Sequence, residues 1–263
     1  MSMDLLSLLS ADSLILFIIV FTRLSGMMAG APLFSTYPIP TNVKVLLCAI
    51  TAFIIYPVVA NTIGSALPKD MIALTLFLVK EFFIGFLIGF IARFIFTAVQ
   101  IAGQTIGIQM GVTMAMVLDP TTNAQSTVLG QIYVYITTIV FICINAHHWL
   151  FIAVYRSFEN VPPGIEFIFT PTLVNQVALL FSHMFVISFQ ICLPIFCVLF
   201  VSEVLMGFMA KMMPQMNIFM VALPIKIGVG LIMMLAFLPP TITYLAYTIE
   251  KYMAGVLKLF MGG

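Results

Sequence analysis

Six charged side chains stand where the sequence is otherwise apolar: Arg23, Lys80, Glu81, Arg93, Glu203 and Lys226. At the centre of a bilayer each would cost about 2.5 to 3.5 kcal/mol, so each must pair, reach an interface, or line a polar path. Two kinds of chemistry fit such residues, an ion path and a contact between helices or subunits. The spacing favours the second for one group, because Glu81, Gly85, Gly89 and Arg93 recur at every fourth residue and form one narrow helical stripe. Glycine at that spacing lets another helix approach closely. The device recurs in Glu203, Gly207 and Lys211, and again in Lys226 and Gly230. For Arg23 and Lys226 the sequence leaves simple pairing and a functional role equally open.

A second constellation follows the first stripe. Gly103, Gly107 and Gly111 keep the four-residue step, but they are interleaved with Gln100, Gln104, Gln109, Met110, Met114 and Met116 and run into Asp119-Pro120-Thr121-Thr122-Asn123. Regular lipid-facing helix is improbable there, and irregular backbone at membrane depth survives only inside protein or along a cavity, so residues 103–126 are expected to form a gate or lumen element. An ordinary polar loop is the alternative. The chain has 19 methionines, which suit a surface that seals and repacks, although core filling explains most of them as well.

Other chemistry finds little support. His147 and His148 are adjacent, so on a helix they diverge by about 100°, a poor metal geometry, and with Trp149 they read as a helix end at the membrane interface. Cys48, Cys143, Cys192 and Cys197 lie in apolar runs with neither disulfide nor zinc spacing. The chain carries no H-E-x-x-H, G-x-S-x-G, phosphate-loop or dinucleotide motif. No catalytic residue, cofactor or metal is expected.

The elements that hold these residues follow from composition. Of 263 residues 63% are hydrophobic and 7% charged, with 10 Lys and Arg against 9 Asp and Glu, too few charges to cover a soluble surface of this size. A net charge of +1 argues against nucleic acid, which requires clustered cations. The N-terminal residues carry Asp4 and Asp12 and no Lys or Arg, so the first apolar segment is expected to be retained. Apolar stretches at about 13–34, 43–60, 71–101, 127–155, 173–209 and 218–249 predict an all-α integral membrane protein of about six long segments, partly broken or tilted, forming one domain over 1–263. The third, at some 31 residues or about 46 Å, exceeds a hydrocarbon core of about 30 Å and must tilt, bend or leave the bilayer. Pro194 in the fifth and Pro224, Pro239 and Pro240 in the sixth predict breaks. Loop cations place both termini in the cytoplasm.

Several motifs resemble the FliR/SctT family of export-gate subunits. They are Gly103 to Gly111 with Gly107-Ile108-Gln109-Met110-Gly111, then Asp119-Pro120, and Asn145-Ala146-His147 before Trp149-Leu150. A second patch, Pro214-Gln215-Met216-Asn217-Ile218-Phe219 with Leu223-Pro224 and Gly228-Val229-Gly230, resembles the family's Pro-Gln segment and the glycine-containing helix after it. The likeness spans essentially the whole chain. It implies a closed helical assembly with FliP-like and FliQ-like subunits, a FlhB-like neighbour, and a channel for unfolded flagellar or effector proteins in the bacterial inner membrane at the flagellar basal body. It also implies that Gly107, Gln109, Met110, Gly111, Asp119 and Pro120 contribute to a channel plug, and that the chain forms a conduit and catalyses nothing. The competing expectation is a secondary transporter, whose marks also include broken helices and intramembrane charges. A membrane enzyme fits least, for want of a nucleophile and base.

Overall fold

The computed structural model describes residues 11–35, 39–62, 70–112, 128–163, 171–215 and 218–260. Among them all regular structure is helical: α1 (Ala11–Gly30), α2 (Pro32–Ser35), α3 (Thr41–Thr62), α4 (Met71–Gln109), α5 (Val128–Cys143), α6 (Ala146–Asn160), α7 (Pro171–Met212) and α8 (Ile218–Phe260). The chain is an all-α membrane protein. Four helices are long and apolar enough to cross a membrane, or five if the bent pair α5 and α6 makes one span. The six apolar stretches of the sequence all become helix, the first divided into α1 and α2 and the fourth into α5 and α6.

The breaks fall elsewhere than the prolines predict. Pro194 lies inside α7, and Pro224, Pro239 and Pro240 lie inside α8, with the helix running on past each. A proline removes one donor, but the other carbonyls of an apolar helix have no water to turn to, so helix remains their best partner. A break comes instead between Cys143, where α5 ends, and Ala146, where α6 begins. Asn145 there has φ 55° and ψ 27°, the left-handed conformation that asparagine tolerates better than most residues. The Asn145 carbonyl accepts the His148 amide at 3.0 Å and starts the next turn. His147, His148 and Trp149 therefore lie in the first turn of α6, at a helix end as expected.

Length is the second correction. α4 has 39 residues, about 58 Å at 1.5 Å per residue, and α7 and α8 have 42 and 43. All three exceed a hydrocarbon core of about 30 Å. Gly103 and Gly107, expected in irregular backbone, belong to the last turns of α4. The helix continues because nothing in residues 101–109 stops it, and glycine interrupts a helix far less than it weakens one.

By its internal contacts the chain forms two compact units, the first built from Met1–Phe94, Asn145–Leu180 and Glu250–Gly263, the second from Ile95–Ile144 and Phe181–Ile249. In the first, α1 packs on α3 and on the N-terminal part of α4, and its core holds Ile19, Leu24, Met27, Ile84, Ile88 and Leu150. In the second, the core includes Val99, Ile106, Met110, Tyr133, Phe141, Ile195 and Leu199. Outside these cores the surface stays apolar, with Phe189, Phe200, Leu205, Phe208, Met212, Met220, Ile232 and Leu235 all exposed along α7 and α8. Such a face requires lipid or protein against it.

Candidate functional sites in the two units

In the first unit the charged stripe has its partner inside the chain. A Cβ placed on Gly85 would strike the carbonyl oxygen of Arg23, and one on Gly89 would strike that of Met27. The relation is reciprocal: Gly26 faces the Phe82 carbonyl, and a Cβ on Gly30 would come within 2.6 Å of the Phe86 carbonyl oxygen. Two G-x-x-x-G pairs, Gly26 with Gly30 and Gly85 with Gly89, thus bring the backbones of α1 and α4 together. Gly26 and Gly30 escaped the sequence reading, although their four-residue spacing was the same signal.

That close crossing places Arg23 beside Glu81. The Arg23 Nε and Nη2 both lie 2.6 Å from Glu81 Oε2, and both side chains are buried. Arg23 Nη1 donates to Ser157 Oγ at 3.0 Å and Nη2 to the Val161 carbonyl at 3.0 Å, so one guanidinium joins α1, α4 and the end of α6. The Phe158 ring covers it, 3.9 Å from the guanidinium carbon to the ring centroid. Burying two charges is repaid only when geometry is good and remaining donors are satisfied, and here a carboxylate, a hydroxyl, a carbonyl and a ring surround the cation. Glu81 Oε1 has no hydrogen-bond partner among the described residues. Arg93, at the far end of the stripe, is exposed.

In the second unit, Gly103 lies where α4 crosses α5: a Cβ on it would approach the Gly130 Cα to 2.7 Å. Gly107 is buried in the same helix. The helix then ends in a Schellman motif. The Val112 amide donates to the Gly107 carbonyl at 3.1 Å, the Gly111 amide to the Ile108 carbonyl at 3.0 Å, and Gly111 has φ +77°. This arrangement satisfies carbonyls that would otherwise be orphaned, and the left-handed residue is most often glycine.

Around that helix end the remaining polar residues gather. Gln109 Nε2 donates to Glu203 Oε2 at 3.0 Å, and Lys226 Nζ donates to Glu203 Oε1 at 2.8 Å, linking α4, α7 and α8. The Glu203 side chain is half exposed, so the pair contributes orientation more than stability. A groove of about 410 Å³ runs beside it, with Ile108, Gly111, Met206, Gly207 and Leu223 in its lining. Among the described residues nothing lies within 4 Å of a Cβ on Gly207, in contrast to Gly230, which is buried against Met110. Lys211, Pro214 and Gln215 are exposed at the end of α7 and beyond it, and Pro224 is exposed within α8. Phe219 is helical. Met114, Met116, Asp119, Pro120 and Asn217 lie outside the described residues, and among the described residues no group of three or more His, Cys, Asp or Glu could hold a metal ion.

A polar helix end in one unit and a tightly crossed, charge-bearing pair in the other lie along a chain most of whose length matches one family description. Residues 14–252 match "Bacterial export proteins, family 1". The chain belongs to this family of bacterial export proteins. Its relatives match over most of their length. It is 32% identical over 225 residues to the flagellar biosynthetic protein FliR of Bacillus subtilis, covering 83% of this chain and 84% of that one. Against the flagellar biosynthetic protein FliR of Escherichia coli it is 28% identical, with 82% of each covered. The Yop proteins translocation protein T of Yersinia pestis is 27% identical over 197 residues, 73% of each chain. The FliR/SctT resemblance drawn from the motifs is thus a true family membership, and this export-family chain carries its Arg23–Glu81 pair and its Gly111 helix stop within the matched region.

Proposed function

We propose that the chain is a subunit of the flagellar type III protein export gate, forming part of the channel for unfolded export substrates together with FliP-like and FliQ-like subunits, with a FlhB-like subunit nearby. It works in the bacterial inner membrane at the flagellar basal body, with residues 1–263 serving as one export-gate domain, and it catalyses no reaction. The observation that carries this reading is the match over residues 14–252 to a family of export proteins, with relatives named for flagellar biosynthesis covered over most of their length. Helices of 39 to 43 residues agree with it, since they reach well past a bilayer and need protein around them. So does the long exposed apolar surface of α7 and α8.

Within that gate, Gly103, Gly107, Gln109, Met110 and Gly111, followed by Met114, Met116, Asp119 and Pro120, form the closing element. The stripes Glu81-Gly85-Gly89-Arg93, Glu203-Gly207-Lys211 and Lys226-Gly230 are packing or subunit contacts, and Pro214, Gln215, Asn217, Phe219 and Pro224 belong to the family segment beside them. The test is to purify the tagged chain from cells and identify what accompanies it, while measuring flagellar export in cells that lack it. Co-purification of the partner subunits and loss of export are expected. A stable, monodisperse chain without partners, or solute uptake by the isolated chain in vesicles, would replace the gate with a transporter.

A further inference from the structure

Over residues 95–109, within the second unit, α4 has two chemically different sides. Ile95, Val99, Ala102, Gly103 and Ile106 are buried, and Gly103 is crowded against Gly130 of α5. Apart from Ile101 and Ile108, every position there with accessible surface is polar and uncharged: Thr97, Gln100, Gln104, Thr105 and Gln109. Steps of three and four residues put these on one side of the helix, a strip about 18 Å long at 1.5 Å per residue. Elsewhere the accessible surface is of the opposite kind, with Met71, Ile72, Leu76, Val79 and Phe83 on the earlier turns of α4 and Phe189 and Phe200 on α7. Thr105 Oγ1 donates to the Ile101 carbonyl at 2.9 Å and Gln109 Nε2 donates to Glu203. The side chains of Gln100 and Gln104 have no hydrogen-bond partner among the described residues.

Lipid is a poor neighbour for such a strip, because an amide with its donors and its acceptor all unpaired in hydrocarbon loses every hydrogen bond it could make. A fixed protein contact is also a poor match, since the strip offers neither a charge nor an aromatic ring to anchor one. Water and an extended polypeptide do match it: a glutamine amide both donates and accepts, and a backbone presents N–H and C=O groups whatever its sequence. We propose that this strip, with Gln100 and Gln104 at its centre, is a wetted wall of the export conduit, along which the unfolded substrate slides while its backbone exchanges hydrogen bonds with the two amides. The inference rests on the export-gate reading and adds to it the residues that touch the passing chain. Hydrogen bonds exchanged with water contribute little net energy each, so the chain is guided without being held.

The experiment places Gln100→Cys and Gln104→Cys in the assembled complex in lipid nanodiscs and treats it with a charged methanethiosulfonate reagent. The reagent attacks the thiolate, which forms only in water, and mass spectrometry locates each adduct beside the native cysteines. Both positions are expected to react at least about tenfold faster than Phe189→Cys, on the apolar side of α7, and Val99→Cys, on the buried side of α4. In cells holding a stalled export substrate, a benzophenone amino acid in place of Gln104 should cross-link to that substrate. Gln100→Leu with Gln104→Leu should slow export by at least about threefold at normal complex yield, while Gln100→Ser with Gln104→Ser stays within about twofold of wild type. Labelling no faster than at Phe189, cross-links to a partner subunit in place of the substrate, or full export by the double leucine variant would each overturn the proposal. Where leucine lowers complex yield, the labelling rates of the cysteine variants decide. Normal export by cells lacking the chain would remove the gate reading separately, and the labelling rates would still decide whether the strip is wet.

Discussion

The guanidinium of Arg23 and the carboxylate of Glu81 meet at 2.6 Å with both side chains buried, 58 positions apart in the sequence. The contact exists because glycines at 26, 30, 85 and 89 remove the side chains that would hold α1 and α4 apart. A close backbone crossing and a buried ion pair are therefore one structural feature.

Removing one partner should be far worse than removing both. Glu81→Leu leaves a buried cation with Ser157 and a carbonyl as its remaining hydrogen-bond partners, and is expected to destabilise the chain by about 3 to 5 kcal/mol. The double variant Arg23→Met with Glu81→Leu should recover most of that loss, because apolar side chains of similar volume replace buried pairs well. Thermal unfolding in detergent measures both, and equal stability of the single and double variants would mean the pair does not hold the helices.

The four glycines of the crossing should respond differently from the open ones. Gly26→Leu, Gly85→Leu and Gly89→Leu press side chains onto backbone that cannot yield, so the yield of folded chain should fall well below that of Phe86→Leu. Gly207→Ala and Gly228→Ala meet nothing among the described residues and should alter the chain's own stability by less than about 0.5 kcal/mol. Should Gly207→Leu leave the isolated chain intact but lower the amount of assembled complex, the Glu203-Gly207-Lys211 stripe faces a partner. Unchanged assembly would withdraw it as a contact.

Backbone conformation makes its own prediction at the bend. Asn145→Gly keeps the left-handed residue between α5 and α6 and should be neutral, whereas Asn145→Val should cost about 1 to 2 kcal/mol. Gly111→Val, at the left-handed end of α4, should behave like Asn145→Val. Circular dichroism melting curves rank the variants, and an Asn145→Val variant as stable as wild type would show that the bend needs no left-handed residue.

The sequence by itself determined the class of the protein: 63% hydrophobic residues in six stretches near or above membrane length allow little except helices in lipid or in a very apolar assembly. It also determined that Glu81, Gly85 and Gly89 would share one contact face, since a four-residue period is a local property of one helix. Which helix that face meets was decided by the tertiary structure, because Arg23 and Glu81 are distant along the chain and nothing local records their pairing. The same holds for Met110 and Gly230: a methionine among apolar residues is ordinary until a missing side chain across the unit is seen to receive it. Helix ends were misplaced for a related reason. The prolines of α7 and α8 weaken helix locally, but a backbone in apolar surroundings has no other partner, so the breaks come at Asn145 and Gly111, whose left-handed backbone ends or redirects a helix with its hydrogen bonds satisfied.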